Sequence, residues 1–378
     1  MAVAGEIRAV SADTADDSEV DFYKVMVVDD STIIRGFIRR MLESDPEFKV
    51  VATAINGEMA ISTVARTDVD VVILDIEMPV MDGLTALPLI LKANPKVKVL
   101  MASTLTRRNA AISIQALAAG ASDYVPKPES TREANASEEF HRQLSSKIKA
   151  LSRPRKFKPK LASSTSPAVN LAATPKIELR KPSVYKPVVL AIGSSTGGPK
   201  ALFTVFETLK DTVKIPIFIT QHMPATFTTI LAEHIQRVCG VECAEGRDKE
   251  RVKPNRIYLA PGEYHMVIDF DDEGSFIRIN QDPPENYCRP AVDPMFRSLS
   301  KTYGPKILSV VLTGMGADGA GGGKVIVEAG GTCIAQDEAS SIVWGMPGAA
   351  AISGICSAVL PLDDIAPKIT QLLKGIRA

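Results

Sequence analysis

Two long stretches of this chain repeat one alternation, in which a short apolar segment is followed by a segment with helical spacing. In the first stretch the apolar segments include KVMVV at 24–28, VDVVILDI at 69–76 and KVKVLMAS at 96–103. Strands that alternate with helices predict parallel pairing through crossover helices. These strands are apolar throughout, as expected when helices cover both faces of a sheet. The first stretch is therefore predicted to be a doubly wound α/β domain.

The second stretch begins after Lys186 and has the same character. PVVLAIG, KIPIFIT and PKILSVVLTG predict strands, each followed by helical or glycine-rich sequence. The segments RIYLA, HMVIDF and FIRIN suggest an antiparallel pair joined by a tight turn at 272–274. The predicted fold class is α/β, with two doubly wound parallel-sheet domains, the second of which contains an antiparallel hairpin.

Composition sets the predicted boundaries of these domains. Residues 152–186 are rich in Pro, Ser, Thr and Lys without a visible period, which predicts a flexible linker. Residues 1–23 indicate an acidic, mostly disordered tail. The domains are accordingly placed at 24–151 and 187–378. A chain of 378 residues is expected to contain two or three domains at roughly 150 residues each.

Charge and hydropathy exclude several classes of protein. Lys+Arg and Asp+Glu both number 44, so the chain as a whole is not expected to bind nucleic acid. No apolar run approaches the roughly 18–20 residues that span a membrane, and the N-terminus lacks the pattern of a secretory signal. The five cysteines all lie in the C-terminal half without a CxxC pair, which indicates free thiols rather than a zinc site. A cytoplasmic protein without membrane insertion is predicted.

Polar side chains end several predicted strands of the first domain. Asp29 and Asp30 come directly after the first strand, and Asp75 ends the third. The carboxyl ends of parallel strands meet at the edge where such sheets bind ligands. Carboxylates gathered there suit Mg²⁺, which also binds phosphate oxygens, and Asp75 can then accept a phosphoryl group. Ser103 and Lys127 end the fourth and fifth strands, where a hydroxyl and a cation can meet a phosphate oxygen.

Taken singly, these residues could equally be loop acids and a surface lysine, but together they favour the phosphoryl site. The first domain resembles the receiver domain of bacterial response regulators. The resemblance is carried by VMVVDDSTIIRGFIRRML, VVILDIEMPVMDGL, VLMAST and GASDYVPKP. It implies a flavodoxin-like fold, a histidine kinase as phosphodonor and Asp75 as the phosphoacceptor.

The same resemblance implies roles for the other residues of this edge. Mg²⁺ would be held by the carboxylates of Asp30 and Asp75 and by the backbone carbonyl of Glu77, with Asp29 acting nearby. The residues that would sense the phosphate are Ser103 and Lys127 as readers and Tyr124 as the aromatic switch.

A glycine-rich turn in the second domain carries a candidate nucleophile. Residues 193–197 read GSSTG, follow a predicted strand and open a helix with Pro199 in its first turn. Read as GxSxG, the turn exposes the Ser195 hydroxyl near helix N-terminal amides. The same residues could also form a simple helix-starting turn or a phosphate cradle, so this motif alone does not decide the function.

A serine nucleophile needs a base, and the chain has four histidines. His141 lies in the last helix of the first domain or in the linker, His234 lies within a helix, and His265 opens a strand. His222 directly follows the strand IPIFIT, which places it at the same sheet edge as Ser195. His222 is therefore the predicted base.

The loop TGMGADG at 313–319 offers the acid that orients the imidazole. It follows the strand KILSVVL, and its glycines allow close backbone approach. Asp318 is the predicted acid, and the surrounding amides could bind an oxyanion. The three loops together favour acyl transfer by a Ser-His-Asp triad. The order Ser195, His222, Asp318 differs from that of α/β-hydrolases, an alternative that would need His265 as base.

The second domain resembles the catalytic domain of chemotaxis protein-glutamate methylesterases. The resemblance is carried by AIGSSTGGPKAL, ITQHMPATFT, NRIYLAPGEYHM, RPAVDPMF and VLTGMGADGAGG. It implies a Rossmann-like fold with Ser195 as nucleophile, His222 as general base and Asp318 as orienting acid. The backbone N–H of Met315 would contribute to the oxyanion site, with support from Thr196.

This second resemblance also implies a substrate and a mode of control. The substrate would be a glutamate γ-methyl ester on the cytoplasmic helices of methyl-accepting chemotaxis receptors, released as methanol without a metal at the esterase site. Receptor glutamines would be deamidated by the same chemistry. The receiver is expected to cover the Ser195 edge until a phosphate on Asp75 weakens the packing. Two other classes remain open, a DNA-binding output domain with a basic helix-turn-helix and a hydrolase-shaped scaffold that only binds a partner.

Overall fold

The structure of the chain is a computed structural model that describes residues 22–127, 134–152 and 177–375. Most of the predicted tail and linker, at 1–21 and 153–176, lies outside the described residues, so their disorder and flexibility stay predictions. Within the described ranges, no helix is both long and apolar enough to cross a lipid bilayer.

Five strands form the first sheet, namely β1 Tyr23–Val28, β2 Phe48–Ala54, β3 Val71–Asp75, β4 Lys98–Ser103 and β5 Asp123–Pro126. They are all parallel and lie in the order β2-β1-β3-β4-β5. Every residue of the central strand β3 is buried, because helices cover both faces of the sheet. The flavodoxin-like fold class predicted from the sequence is confirmed.

Five helices connect and cover these strands, namely α1 Thr32–Glu43, α2 Gly57–Val64, α3 Gly83–Ala93, α4 Arg107–Ala118 and α5 Ala134–Leu151. The first four begin behind a short polar residue whose side-chain oxygen accepts a hydrogen bond from a backbone N–H of the first turn. These capping residues are Ser31, Asn56, Asp82 and Thr106. The starts of these four helices are thus encoded in the local sequence.

Seven strands form the second sheet, namely β6 Val189–Ser194, β7 Ile217–Gln221, β8 Cys243–Glu245, β9 Ile257–Leu259, β12 Ile307–Val311, β13 Thr332–Gln336 and β14 Cys356–Leu360. They are all parallel, in the order β14-β13-β12-β6-β7-β9-β8. β6 is buried along its whole length. This confirms the second parallel-sheet α/β region.

The predicted antiparallel pair consists of β10 His265–Asp271 and β11 Gly274–Asn280, which meet at the expected turn. The sequence grouped RIYLA with this pair, and there it was wrong, because that segment is β9 of the parallel sheet. The three-residue strand β8 beside it was not anticipated. Strands this short hold too few residues for a period to appear.

Six helices and a short 3₁₀ helix at Lys210–Thr212 complete this region; the six are α6 Gly198–Leu209, α7 Ala225–Cys239, α8 Val292–Tyr303, α9 Ala320–Glu328, α10 Met346–Ile352 and α11 Leu362–Leu373. The first strand of the region, β6, lies between β12 and β7, so the strand order reverses direction there. Ligands of open α/β sheets bind at the carboxyl ends of strands beside such a reversal.

The two sheet regions pack directly against each other. The ring of Tyr124, at the end of the first sheet, stacks on Phe227 of α7 with centroids 4.2 Å apart and planes 15° apart. Ile342 and Val343 of the second region pack against the apolar cluster of the first. At the exposed rim Arg107 of α4 pairs with Glu233 of α7 at 2.9 Å. The contact therefore has an apolar centre and a charged edge.

Candidate active site and phosphorylation site

The predicted nucleophile lies in the sharp turn between β6 and α6. The Ser195 N–H donates to the carbonyl of Thr313 at 3.0 Å, which ties the turn to the loop after β12. Gly197 has a φ of 76°, and a Cβ there would lie 2.6 Å from the side chain of Ile342. Only glycine suits this position, because the backbone is left-handed and the space is filled.

A buried glutamine fixes this turn from the neighbouring strand. Gln221, the last residue of β7, accepts from the Ser194 hydroxyl at 2.7 Å and donates to the Ser195 carbonyl at 2.9 Å. A Cβ on Gly198 would lie 2.1 Å from the same glutamine oxygen. No role was predicted for Gln221 from the sequence, although an amide that ends a buried strand was a visible signal.

The predicted base follows directly from strand register. Ser194 pairs with Gln221 across β6 and β7, so the next residues, Ser195 and His222, leave adjacent strands side by side. The His222 N–H donates to the Ser194 carbonyl at 3.2 Å. Its ring nitrogen Nε2 lies 2.8 Å from the Asp318 carboxylate. The structure thus brings the predicted base and acid into contact.

Asp318 is held at the N-terminus of α8. Its carboxylate accepts from the N–H groups of Val292 at 2.6 Å and Asp293 at 3.0 Å, and from the Asn286 side chain at 3.0 Å. Burial would raise the pKa of Asp318, but the hydrogen bond and charge of His222 and the backbone N–H groups hold it below its ordinary value. The acid therefore stays charged beneath the imidazole.

Asp293 anchors the loop that carries Asp318. Helix α9 begins behind Gly319, which has no side chain to cap it. Asp293 replaces that cap, since its Oδ1 accepts from the N–H groups of Gly319 at 3.0 Å and Gly322 at 2.5 Å. Asn286 also donates to its other oxygen at 3.2 Å. The RPAVDPMF motif was noted in the sequence, but this role of its aspartate was not.

The pKa of His222 is shifted by two neighbours. Burial alone would lower it, but the hydrogen bonds and charges of Asp318 and Cys288 raise it from 6.5 to about 10. Cys288 reaches the other ring nitrogen, with its Sγ 3.4 Å from Nδ1. No role was predicted for Cys288 from the sequence.

Ser195 and His222 open into one cavity of about 510 Å³. Met315 and Thr196, the predicted oxyanion contributor and its support, also line it. Within the described residues no hydrogen bond joins the Ser195 hydroxyl to His222. The cavity therefore gathers an alcohol, an imidazole and a buried carboxylate, which are the groups that acyl transfer requires.

Part of the cavity wall belongs to the first sheet region. These wall residues lie at the end of β5 and along α5, and they are Tyr124, Pro126, Glu139, Arg142, Gln143, Ser146 and Lys147. The first region thus stands directly over the Ser195 edge, as the sequence analysis expected of an inhibitory arrangement.

The remaining histidines lie elsewhere. Both ring nitrogens of His265 are engaged, since Nε2 lies 3.2 Å from the Pro283 carbonyl and Nδ1 accepts from the Ala291 N–H at 3.2 Å. The ring of His234 packs 4.2 Å from that of Phe203. His265 is a structural residue here, which removes the base that the α/β-hydrolase alternative needed.

At the other sheet edge, Asp29, Asp30 and Asp75 offer oxygens that all lie within 4.8 Å of one another. The Lys127 ammonium lies 2.6 Å from a carboxylate oxygen of Asp29 and 2.6 Å from one of Asp75. Burial raises the pKa of Asp75 to about 6, opposed by Lys127 and assisted by the charge of Asp29. Clustered carboxylate oxygens are the donors that Mg²⁺ prefers, so these residues fit a divalent cation.

The other predicted phosphate-site residues lie at the positions expected. Ser103 is buried at the end of β4, and its hydroxyl lies 3.1 Å from that of Ser113 in α4. Glu77 follows β3 by two residues, with its exposed side chain 3.9 Å from Arg108. Its carbonyl role stays a prediction. Tyr124, on the next strand β5, lies in the interface and stacks on Phe227.

Comparison with protein families assigns both parts of the chain. Residues 25–137 match the family described as response regulator receiver domain. Residues 190–369 match the family described as CheB methylesterase.

Whole-length relatives carry matching names. A protein-glutamate methylesterase/protein-glutamine glutaminase of Paramagnetospirillum magneticum is 53% identical, covering 93% of this chain and 96% of the relative. One of Azospirillum brasilense is 54% identical, covering 93% of each. Among solved structures, the CheB methylesterase catalytic domain of Thermotoga maritima is 35% identical and covers 49% of this chain and 98% of its own, with a TM-score of 0.48.

Proposed function

The chain belongs to the protein-glutamate methylesterase/protein-glutamine glutaminase family, with a receiver domain preceding the methylesterase domain, and from that membership we propose its reaction. It hydrolyses glutamate γ-methyl esters on methyl-accepting chemotaxis receptors and releases methanol. The same acyl chemistry converts receptor glutamines to glutamate. The reaction takes place in the cytoplasm. The proposed domains are residues 24–151 and 187–378, and residues 152–186 form the linker between them.

Ser195 is the nucleophile of this proposal and His222 its base. Nε2 of the imidazole is engaged by Asp318 at 2.8 Å, so the serine proton goes to Nδ1 as Oγ attacks the ester carbonyl. Nδ1 gives that proton to the departing methoxide, so methanol leaves and an acyl-enzyme remains. A water that gives its proton to the same nitrogen then releases the glutamate. Asp318 keeps its charge and stabilises the imidazolium throughout.

The oxyanion of each tetrahedral intermediate is assigned to the loop after β12. Met315 lines the cavity beside Ser195, and its backbone N–H is the proposed donor. Thr196 supports the turn, since its carbonyl accepts from the Thr313 hydroxyl at 2.9 Å. No metal is assigned to this site.

Asp75 is the proposed phosphoacceptor, supplied by a histidine kinase. A Mg²⁺ ion held by Asp30 and Asp75 and the Glu77 carbonyl, with Asp29 nearby, would neutralise the phosphoryl oxygens. Lys127 already lies 2.6 Å from Asp75, where it can pair with a phosphate oxygen. Ser103 is the second phosphate reader.

Phosphorylation controls the esterase through the packing of the two domains in this proposal. Helix α5 and Tyr124 wall the cavity that a receptor helix would have to enter. A phosphate on Asp75 attracts the Ser103 hydroxyl and shifts Tyr124. The ring stack of Tyr124 on Phe227 then weakens.

The DNA-binding alternative lacks support, because the described C-terminal residues form a parallel α/β sheet rather than a helix-turn-helix.

The contact of His222 with Asp318 beneath the cavity that holds Ser195 carries this proposal. The test measures methanol release from methylated receptors, with and without a small phosphodonor. The native chain should be active and stimulated, Ser195→Ala should be inactive in both conditions, and Asp75→Asn should show only basal activity. A Ser195→Ala chain that still released methanol at the native rate would refute the assignment.

A further inference from the structure

His222 has a second partner that the acyl-transfer scheme does not use. Its Nε2 faces Asp318, while its Nδ1 lies 3.4 Å from Cys288 Sγ. In the neutral imidazole that donates from Nε2, the lone pair on Nδ1 receives the thiol hydrogen; in the imidazolium, the Nδ1–H points at the sulfur. In either protonation state, Cys288 occupies the atom to which Ser195 must deliver its proton.

Cys288 differs from the other cysteines of the chain. Cys239, Cys243, Cys333 and Cys356 are all buried, whereas Cys288 is only half-buried. It also lines the cavity that Ser195 and His222 open into. Its thiol is therefore within reach of small molecules that enter the cavity.

A tight turn holds Cys288 in this position. Glu285 and Cys288 exchange two backbone hydrogen bonds, at 3.1 Å and 2.9 Å. The residues between them, Asn286 and Tyr287, both have left-handed backbones, with φ of 52° and 62°. The turn is anchored where Glu285 accepts from Arg297 at 2.9 Å. Two left-handed residues in succession define a narrow turn geometry, so the sulfur is placed rather than free to swing.

We propose that Cys288 is a positioning residue that holds Nδ1 of His222 in the resting enzyme, so that Ser195 must displace its thiol before the imidazole can act as base. This rests on the proposed function, in which Ser195 and His222 carry the reaction. The base thus becomes available only when the serine hydroxyl replaces the thiol at Nδ1, as substrate is engaged.

Other ionisable groups face His222 but not through Nδ1. Asp318 engages Nε2, with Asp293 behind it through Asn286. The charged groups on the cavity walls are Glu263 and Arg289 from the same domain and Glu139, Arg142 and Lys147 from α5. Cys288 is also among the groups that raise the pKa of His222 against the effect of burial. Removing the thiol should therefore let the imidazole lose its proton at lower pH.

The first test is the pH dependence of kcat/KM for methanol release by the phosphorylated chain. In Cys288→Ala the acidic limb should move to lower pH by roughly half to one unit, the equivalent of one lost hydrogen bond. Cys288→Ser, which keeps a hydrogen-bonding atom, should restore the limb towards the native position. Phe270→Ala, in the same domain but 65% exposed and outside the cavity wall, is the control and should leave the limb in place. A Cys288→Ala profile that overlays the native one, or that falls equally at every pH, overturns the proposal.

A second measurement uses native chain and does not depend on a variant of Cys288. Iodoacetamide forms a carbon–sulfur bond with Cys288 and releases iodide, while the thiol proton passes to the neighbouring Nδ1 of His222. Peptide mass mapping should show Cys288 labelled faster than the four buried cysteines, and labelled several-fold more slowly in His222→Gln. An equal rate in both chains contradicts the thiol–imidazole contact.

Ser195→Ala separates the two proposals. If it abolishes methanol release while the Cys288 results are negative, only the positioning role fails. If it leaves methanol release intact, the serine mechanism itself fails, and Cys288 next to His222 becomes the nucleophile to examine.

Discussion

Replacing Tyr124 with leucine should raise esterase activity in the absence of phosphate. The Tyr124 ring is 5% exposed and stacks on Phe227, which is fully buried, with centroids 4.2 Å apart. Leucine keeps the apolar character of the site, so the first sheet loses little packing. The ring stack between the domains, however, is removed.

The size of the effect follows from the stacking energy. An aromatic pair of this geometry contributes about 0.5–1.5 kcal/mol beyond the area it buries. Losing it from the closed arrangement raises the fraction of open enzyme roughly 2- to 13-fold, provided that the closed form predominates. Methanol release without a phosphodonor should rise by that factor. Stimulation by a phosphodonor should fall correspondingly, because the open rate is unchanged.

The assay compares initial rates of methanol release from methylated receptors for Tyr124→Leu and a matched control. Tyr23→Leu makes the same change in the same domain, where Tyr23 packs against Phe48 with centroids 5.5 Å apart. It should leave the unstimulated rate unchanged. If Tyr124→Leu is folded and its unstimulated rate equals that of Tyr23→Leu, the stack does not hold the domains closed.

Two other variants test the catalytic geometry. In the folded state His222 has a pKa of about 10 against an ordinary 6.5, so its contribution to stability is complete below pH 6.5 and is lost as pH rises towards 10. Asp318→Asn should flatten that decline in the free energy of unfolding, measured in urea from pH 6 to about 10, and lower kcat by about 10⁴-fold; an unchanged pH slope would contradict the pairing. Gln221→Leu leaves the buried Ser194 hydroxyl and Ser195 carbonyl without their partner. It should cost about 1–3 kcal/mol of stability and lower kcat by about 10- to 100-fold, and native kcat in a folded variant would show that the turn needs no such brace.

Most strands of the two sheets could be predicted from the sequence, because strands that are buried on both faces have continuous apolar sequences. β3 and β6 are buried at every residue and were found without difficulty. β8 and β9 were missed or misassigned, since three residues carry no period and take their place from neighbours. Their parallel pairing is decided by the sheet rather than by the segment itself.

The placement of the proposed triad at one sheet edge was predictable for a similar reason. Ser195, His222 and Asp318 each follow a strand, and parallel strands present such residues at one edge. The supporting residues of the turn at 285–288 were not predictable. Asn286 contacts Asp318 and Cys288 contacts His222, both from a turn whose path depends on tertiary packing.

The contacts between the two sheet regions could not be predicted from the sequence, for a further reason. Tyr124 was predicted to be a switch residue, but its partner Phe227 lies on a helix that only the packing of two separate sheets brings near. No local pattern marks a side chain that is buried by another domain.

The shared wall of the catalytic cavity has a thermodynamic consequence. Because α5 and Tyr124 fill space that a receptor helix would also need, the substrate and the covering domain exclude each other. A receptor that binds the uncovered form increases the population of that form, and the proposed phosphate on Asp75 would increase it as well. Thermodynamic linkage then requires that receptor binding favour phosphorylation of the aspartate at equilibrium. The factor is the same as that by which the phosphate increases the affinity for the receptor. Receptor binding and phosphorylation would therefore shift the same equilibrium between the covered and the uncovered form, and each would strengthen the other.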